Sequence, residues 1–101
     1  MYNISRESAR AFDNNRNFKK RNTVVKATDS ETAMYLWGNK IAWKNSDGYF
    51  FSMCGWDTRT TKDRLSALGI RISQKNHTQY WHKIRDDKPI ELDTYGIYQV
   101  A

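Results

Sequence analysis

The stretch YLWGNKIAWKNSDGYFFSMC, residues 35–54, decides the fold of this chain. Aromatic and aliphatic residues, which favour strands, alternate here with short groups of turn residues. Gly38-Asn39 predicts a tight turn, and Asp47-Gly48 supplies the positive φ that a hairpin turn requires. The pattern therefore predicts three strands joined by turns: 32–37, 40–44 and 49–54.

The flanking sequence extends this meander in both directions. A run rich in valine and threonine predicts a strand before it, and four short apolar runs predict strands after it. These five predicted strands are 23–28, 70–74, 79–84, 90–92 and 95–100, with a turn at 85–89. At the N-terminus a short helix is predicted, with Ser5 as its N-cap and Ser8 as the alternative.

The segment RTTKDRLSALG, residues 59–69, predicts a second helix over about 60–68. Thr60 is its predicted N-cap, and Asp63 completes a pattern like a capping box. Leu65 and Leu68 fall on one face, so the helix must dock through them to be stable.

A functional interpretation of the same segment stays open beside the structural one. A helix N-terminus with threonine hydroxyls and basic side chains can hold a phosphate group. The residues concerned are Thr58, Arg59, Thr60, Thr61 and Lys62. Asp57 and Asp63 count against this site, because their carboxylates would lie where the anion would be.

Together these elements predict an α+β fold, mainly an antiparallel sheet with a short N-terminal helix and one helix inserted between strands. The length of 101 residues suits a small single domain, 1–101. Within it, 1–20 form the helix and a basic N-terminal segment, and 22–101 form the sheet and the second helix.

The composition bounds the class of protein and its partners. A net charge of +6 favours contact with polyanions such as nucleic acid. A single cysteine, Cys54, rules out an intramolecular disulfide framework and fits a reducing cytosol. The chain has no apolar run near the ~20 residues of a membrane helix and no secretory signal, so we expect a soluble, intracellular protein without membrane contact.

Alternation along the predicted 70–75 and 79–84 strands suggests a basic face. Arg71 and Lys75 alternate with isoleucines, and Lys83 shares its parity with Trp81. Most of the aromatic residues are expected in the core. Any that remain outside could stack on unpaired bases or anchor a protein interface.

Basic side chains and one tryptophan therefore form the predicted set of binding residues. They are Lys19, Lys20, Arg21, Arg59, Lys62, Arg64, Arg71, Lys75, Trp81 and Lys83. No catalytic constellation is predicted, since Cys54 has no evident base and no glycine-rich phosphate loop is present. We therefore expect no enzyme, no cofactor and no metal site, because one cysteine and two histidines make a poor ligand set.

Four groups of residues form short motifs spaced along the chain: Ala11-Phe12, Asn22-Thr23-Val25, Leu36-Gly38-Asn39-Ile41-Ala42 and Gly55-Trp56-Thr58-Thr60-Thr61-Arg64-Leu65-Leu68. Together they resemble small proteins encoded by tailed bacteriophages, and the resemblance covers most of residues 9–81. Trp37 stands where that pattern often has histidine, and Ser66 where it often has asparagine. The resemblance implies a phage origin and the cytoplasm of an infected bacterium. It implies no activity.

Two functions follow as hypotheses. The first is a phage accessory protein that binds nucleic acid stoichiometrically through a basic and aromatic face, with an affinity that falls steeply with salt. The second is a protein-binding inhibitor of a host factor or defence system, for example one like an anti-CRISPR protein, in which charge mainly sets the association rate. The partner and the oligomeric state stay open.

Overall fold

The strands of the meander and the helix that follows them lie close to the predicted positions in the computed structural model, which describes residues 2–84 and 88–101. The predicted 85–89 turn lies partly outside these residues. The elements are α1 (Asn3–Asp13), β1 (Phe18–Lys20), β2 (Thr23–Ala27), β3 (Glu31–Leu36), β4 (Asn39–Asn45), β5 (Gly48–Phe51), α2 (Arg59–Ala67), β6 (Ile72–Lys75), β7 (Thr78–Trp81), β8 (Ile90–Leu92) and β9 (Tyr98–Gln99). The predicted α+β class is confirmed, with mainly antiparallel sheets, a short N-terminal helix and one helix between strands.

Hydrogen bonding divides the strands into two sheets. The larger has six strands in the order β1-β2-β3-β4-β5-β9, and the smaller has three in the order β6-β7-β8. The chain leaves the larger sheet after β5, forms α2 and the smaller sheet, and returns as β9 antiparallel to β5. β1 was not predicted as a strand. It places the basic segment at one edge of the larger sheet, where charged side chains discourage edge-to-edge association.

The β3–β4 hairpin turn lies one residue earlier than predicted. Leu36 pairs with Asn39, so Trp37 and Gly38 are the two central residues. Both have positive φ, +50° and +80°, as a type I′ turn requires. A tryptophan in this conformation is sterically strained, because its Cβ crowds the backbone.

A β-bulge interrupts the β3–β4 ladder. Met34 pairs with Ala42 and Tyr35 with Lys40, which leaves Ile41 as an extra residue in β4. Ile41 and Ala42 are consequently both buried. Strict alternation in this strand, which would place Ala42 on the side opposite to Ile41, therefore does not hold, because a bulge resets the parity of every residue beyond it.

The helix starts differ from the predicted ones. α1 begins after Tyr2 without a side-chain cap, and the predicted cap Ser5 is buried inside the helix. In α2 the cap is Thr58, not Thr60, because Thr58 has extended backbone angles and its Oγ1 accepts from the Thr61 N–H. Asp63 does not close a capping box, since its carboxylate accepts hydrogen bonds from the first turn of α1 instead.

The core lies on one side of the larger sheet, which we call the inner side. Both helices and the smaller sheet pack against it, through residues that include Phe12, Leu65 and Trp81. The Trp81 ring meets the Phe51 ring edge-on with centroids 5.0 Å apart. Within the described residues, neither helix has the length and hydrophobicity that crossing a bilayer would require.

Candidate nucleic-acid interface

The side of the larger sheet opposite to the core carries two cross-strand rows of side chains. Directly paired residues of an antiparallel sheet project to the same side. One row is Lys19, Val24, Tyr35 and Lys40, and the other is Lys26, Ala33, Trp43 and Phe50. We call the six charged and aromatic members the outer face: Lys19, Lys26, Tyr35, Lys40, Trp43 and Phe50.

Burial distinguishes this outer face from the inner side of the same strands. Lys19 and Lys26 are exposed, and the three aromatic residues are partly exposed. On the inner side, Met34 and Phe51 have no exposed surface. The outer face is therefore open, while both helices and the smaller sheet cover the inner side.

The β4 bulge creates part of the outer face. In a regular strand without the bulge at Ile41, Lys40 and Trp43 would project to opposite sides, because their positions differ by an odd number. With it, both project outward, and the Lys40 ammonium lies 5.0 Å from the Trp43 ring centroid. Bulges re-aim side chains in this way at functional surfaces.

Contacts within the outer face pre-arrange its rings. Trp43 and Phe50 stack with centroids 5.8 Å apart and planes inclined by 20°. The Lys26 ammonium lies 5.3 Å from the Tyr35 ring centroid. Flat rings bordered by ammonium groups can stack on bases while the ammonium groups contact phosphates.

One carboxylate borders the outer face. Glu31 accepts a hydrogen bond from the Lys40 ammonium at 2.7 Å. This bond lowers the pKa of Glu31 below its ordinary value, with a further contribution from Asn45, although partial burial acts in the opposite direction. Glu31 therefore stays ionised and neutralises Lys40. No ion pair involves Lys19 or Lys26 among the residues that the structure describes, so both charges remain available.

The predicted basic face of the β6–β7 hairpin is not one surface. Trp81 pairs with Ile72 and is only 5% exposed, so its ring points into the core. Arg71 and Lys75 have the opposite parity to Ile72 and project to the other side, both exposed. The placement of Trp81 among these basic residues is therefore wrong, because the tertiary packing turns its side of the hairpin inward.

Lys83 lies just after β7 and contacts Trp81, away from Arg71 and Lys75. Its ammonium is 5.2 Å from the Trp81 ring centroid. Lys83 thus covers the solvent edge of a core residue, as long lysine side chains commonly do.

The basic residues of α2 occupy three different environments. Arg59, the first helical residue, is exposed. Lys62 donates hydrogen bonds to the side-chain oxygens of Gln74 and Gln79 at 2.9 and 3.0 Å, and so ties the helix to the smaller sheet. Arg64, predicted as a binding residue, is buried, with 2% of its surface exposed, and so lies apart from the exposed Arg59.

The Arg64 guanidinium is held by neutral oxygens from distant parts of the chain. It donates to Ser5 Oγ at 2.6 Å, Thr23 Oγ1 at 3.0 Å and Asn22 Oδ1 at 3.2 Å. Burial lowers the pKa of Arg64, and the neighbouring Asp63 carboxylate partly offsets this effect. Arg64 therefore connects α2 to α1 and to the start of β2.

The remaining predicted residues lie around β1. Lys19 belongs to the outer face, whereas Lys20 projects to the inner side and forms an ion pair with Glu7 of α1 at 3.1 Å. Arg21 is exposed in the β1–β2 turn with φ +53°. The structure thus brings Lys19 to the outer face and separates it from the other predicted basic residues.

A pair of exposed tryptophans lies at the turn end of the sheet. Trp37 is 51% exposed and Trp56 53%, with ring centroids 6.3 Å apart. The Trp37 N–H donates to the Asn22 carbonyl at 2.8 Å, so the two neighbouring turns lie side by side. A strained conformation combined with an exposed indole is typical of a functional surface.

The sequence reasoning missed five members of the outer face: Lys26, Tyr35, Lys40, Trp43 and Phe50. Alternation in each strand was the available signal, but it cannot tell which parity faces the core. The bulge at Ile41 also concealed the shared side of Lys40 and Trp43.

Fold and surface together define a small, basic α+β protein with an aromatic, lysine-bearing sheet face. The model of the Kyanoviridae Gp96 protein family matches residues 1–96, so the chain belongs to this family of small phage proteins. The predicted phage origin is thereby confirmed, while the individual motif positions stay predictions. No curated protein and no solved structure matches the chain.

Proposed function

We propose that this phage protein binds single-stranded nucleic acid stoichiometrically through its outer face. The observation that carries the proposal is the open sheet surface on which Tyr35, Trp43 and Phe50 lie beside the exposed Lys19 and Lys26. Aromatic rings on an open sheet are a common platform for unpaired bases, and stacking tolerates any base.

Two properties of the chain support this proposal. The net charge of +6 attracts polyanions over the whole surface. The rings are already ordered by contacts with lysines and with each other, which reduces the entropy cost of binding. A phage protein with this partner would act in the cytoplasm of the infected bacterial host, and by binding rather than catalysis.

The geometry favours a single strand over a duplex. The rings lie on the pleated surface of a sheet, where they can meet splayed bases face to face. In a duplex the bases are stacked on each other and offer only their edges and phosphates. We therefore expect a duplex of the same sequence to bind more weakly and through charge alone.

The test is fluorescence anisotropy with a labelled single strand and its duplex, at about 50 and 200 mM salt. Lys26→Ala should weaken single-strand binding and reduce the slope of log affinity against log salt by about 0.7. Arg16→Ala, which removes an equal charge from an exposed position outside the outer face, is the matched control.

A second pair of variants decides which basic surface binds. Lys75→Ala and Arg71→Ala remove charge from the exposed side of the smaller sheet. If they weaken binding as much as Lys26→Ala does, the outer face is not the site. Salt-independent binding would also contradict the proposal.

The exposed pair of Trp37 and Trp56 favours a second candidate, a protein-binding inhibitor of a host factor or defence system. Tryptophan dominates the binding energy of many protein interfaces, and two indoles 6.3 Å apart form a compact anchor. The test is capture of host proteins from nuclease-treated lysate by wild type and by Trp56→Ala. A partner that survives the nuclease and is lost in this variant would support the candidate.

A further inference from the structure

A pocket of about 440 Å³ lies between the N-terminus of α1 and the β1–β2 turn, on the inner side of β1. Lys20, Arg21 and Arg64 line it. Among the described residues that form its wall there is no carboxylate. Glu7 lies outside the wall and pairs with Lys20, so Arg21 and Arg64 leave the pocket with a net positive charge.

Arg64 is the member that makes this pocket unusual. Within the described residues, the hydrogen-bond acceptors of its buried guanidinium are neutral: Ser5, Thr23 and Asn22. No ion pair in the described part of the chain involves Arg64. A guanidinium has five N–H donors, and three of those of Arg64 have acceptors among the described residues. Arg64 also lines the pocket.

The neighbouring carboxylate is engaged elsewhere. Asp63 accepts hydrogen bonds from Ser5 Oγ and from the Tyr2 N–H, and it is not part of the pocket wall. Burial raises the pKa of Asp63, but these two bonds and the Arg64 charge outweigh burial and hold the pKa below its ordinary value. Asp63 thus stays ionised and directed at α1. An anion bound beside Arg64 would offset the desolvation cost of its buried charge.

The start of α1 also lines the pocket, and the Asp63 carboxylate lies beside it. The helix has no side-chain cap, and its first residues, Asn3 and Ile4, line the pocket. The first N–H groups of a helix have no partner within the helix and carry a partial positive charge. Here they accompany the three cations rather than act alone.

We propose that this pocket binds a phosphate group, held by Lys20, Arg21 and Arg64. Phosphate suits a site with several donors, because each of its oxygens accepts hydrogen bonds. One guanidinium group can also donate two parallel hydrogen bonds to it. The inference deepens the proposed function and in part rests on it. Lys19 projects to the outer face and Lys20 to the pocket, so a strand that crosses the β1 edge would meet both.

Two sources of phosphate share this chemistry, a phosphodiester within a strand and a phosphate monoester. The first experiment asks only whether the pocket binds the group. Inorganic phosphate is titrated at constant ionic strength while the amide NMR signals of Asn3, Ile4 and Arg21 are followed. We expect saturable shifts that disappear in Arg21→Ala and persist in Arg16→Ala.

Arg21 is the preferred position for this test because it is exposed in a turn, so its substitution should leave the fold intact. Lys20→Ala is the second variant and should also weaken phosphate binding. The proposal fails if phosphate produces no saturable shift, or if Arg21→Ala leaves the shift unchanged.

The second experiment identifies the source. Two 3′-labelled single strands of one sequence carry either a 5′-phosphate or a 5′-hydroxyl group. If the protein prefers the phosphorylated strand and Arg21→Ala removes this preference, the ligand is a terminal monoester. Equal affinities, both reduced by Arg21→Ala with a salt slope lower by about 0.7, indicate a backbone phosphodiester. Either outcome supports the pocket.

The two proposals can fail separately. The phosphate-site proposal fails alone if phosphate produces no shift and if strand binding needs Lys26 but is insensitive to Arg21→Ala. The proposal for the outer face would then still stand. Saturable phosphate shifts without any strand binding would uphold the pocket and overturn the proposed function.

Discussion

On each side of the six-stranded sheet lies a tryptophan with a lysine ammonium over its ring, but the two rings differ in exposure. On the outer face, Lys40 lies 5.0 Å from a partly exposed Trp43. On the inner side, Lys83 lies 5.2 Å from Trp81, which is 5% exposed and packs on Phe51. The same local chemistry supports binding where the ring is open and stability where the ring is enclosed.

The largest expected effect belongs to the inner side. Trp81→Ala should lower the free energy of unfolding by about 3–5 kcal/mol, because it leaves a cavity beside Phe51. Trp43→Ala removes the same side chain from a partly exposed position and should cost clearly less. Urea unfolding of both variants measures the difference. Equal losses of unfolding free energy would contradict the assignment of Trp81 to stability and of Trp43 to binding.

Arg64 tests whether the inner side also depends on its polar contacts. Arg64→Ala should lower the free energy of unfolding by about 2–4 kcal/mol, because Ser5 and Thr23 lose their partner in a buried site. Arg64→Lys should recover only part of this loss, since an ammonium cannot reproduce the guanidinium geometry. If Arg64→Ala unfolds at the wild-type urea midpoint, Arg64 does not hold the helices to the sheet.

Trp37 lies in the β3–β4 turn, where its backbone conformation lowers stability while its exposed indole is available for binding. Its φ of +50° costs a tryptophan about 1–2 kcal/mol, whereas asparagine tolerates this conformation in type I′ turns. Trp37→Asn should therefore raise the free energy of unfolding by about 1 kcal/mol and weaken capture of any protein partner. A thermal unfolding scan measures the first effect. A destabilised variant would mean that the contact with Trp56 outweighs the strain.

The sequence predicted the elements better than it predicted their surroundings. Turn residues such as Asp47-Gly48 act locally, so the β4–β5 hairpin could be found from its own segment. The burial of Arg64 could not, because its partner Ser5 lies 59 residues away. Nor could the outer face, because one bulge at Ile41 changes which side chains share a surface.

The smallest expected effect concerns the ion pair at the border of the outer face. The pKa of Glu31 in the folded protein lies below its ordinary value of 4.5. The stabilisation that ionised Glu31 provides is therefore fully present above pH 4.5, and it is lost as the pH falls through the pKa of Glu31 in the folded protein. Both partners are partly exposed, so the pair should contribute at most about 1 kcal/mol.

Lys40→Ala should accordingly destabilise the protein slightly at pH 7, and this difference from wild type should shrink as the pH falls through the folded pKa of Glu31. Urea midpoints across this range provide the measurement. A difference that persists in acid would show that Lys40 acts through its packing on Trp43 rather than through Glu31. The position of Lys40 on the outer face would then depend on its contact with the Trp43 ring, and neutralising Glu31 would leave the arrangement of the rings unchanged.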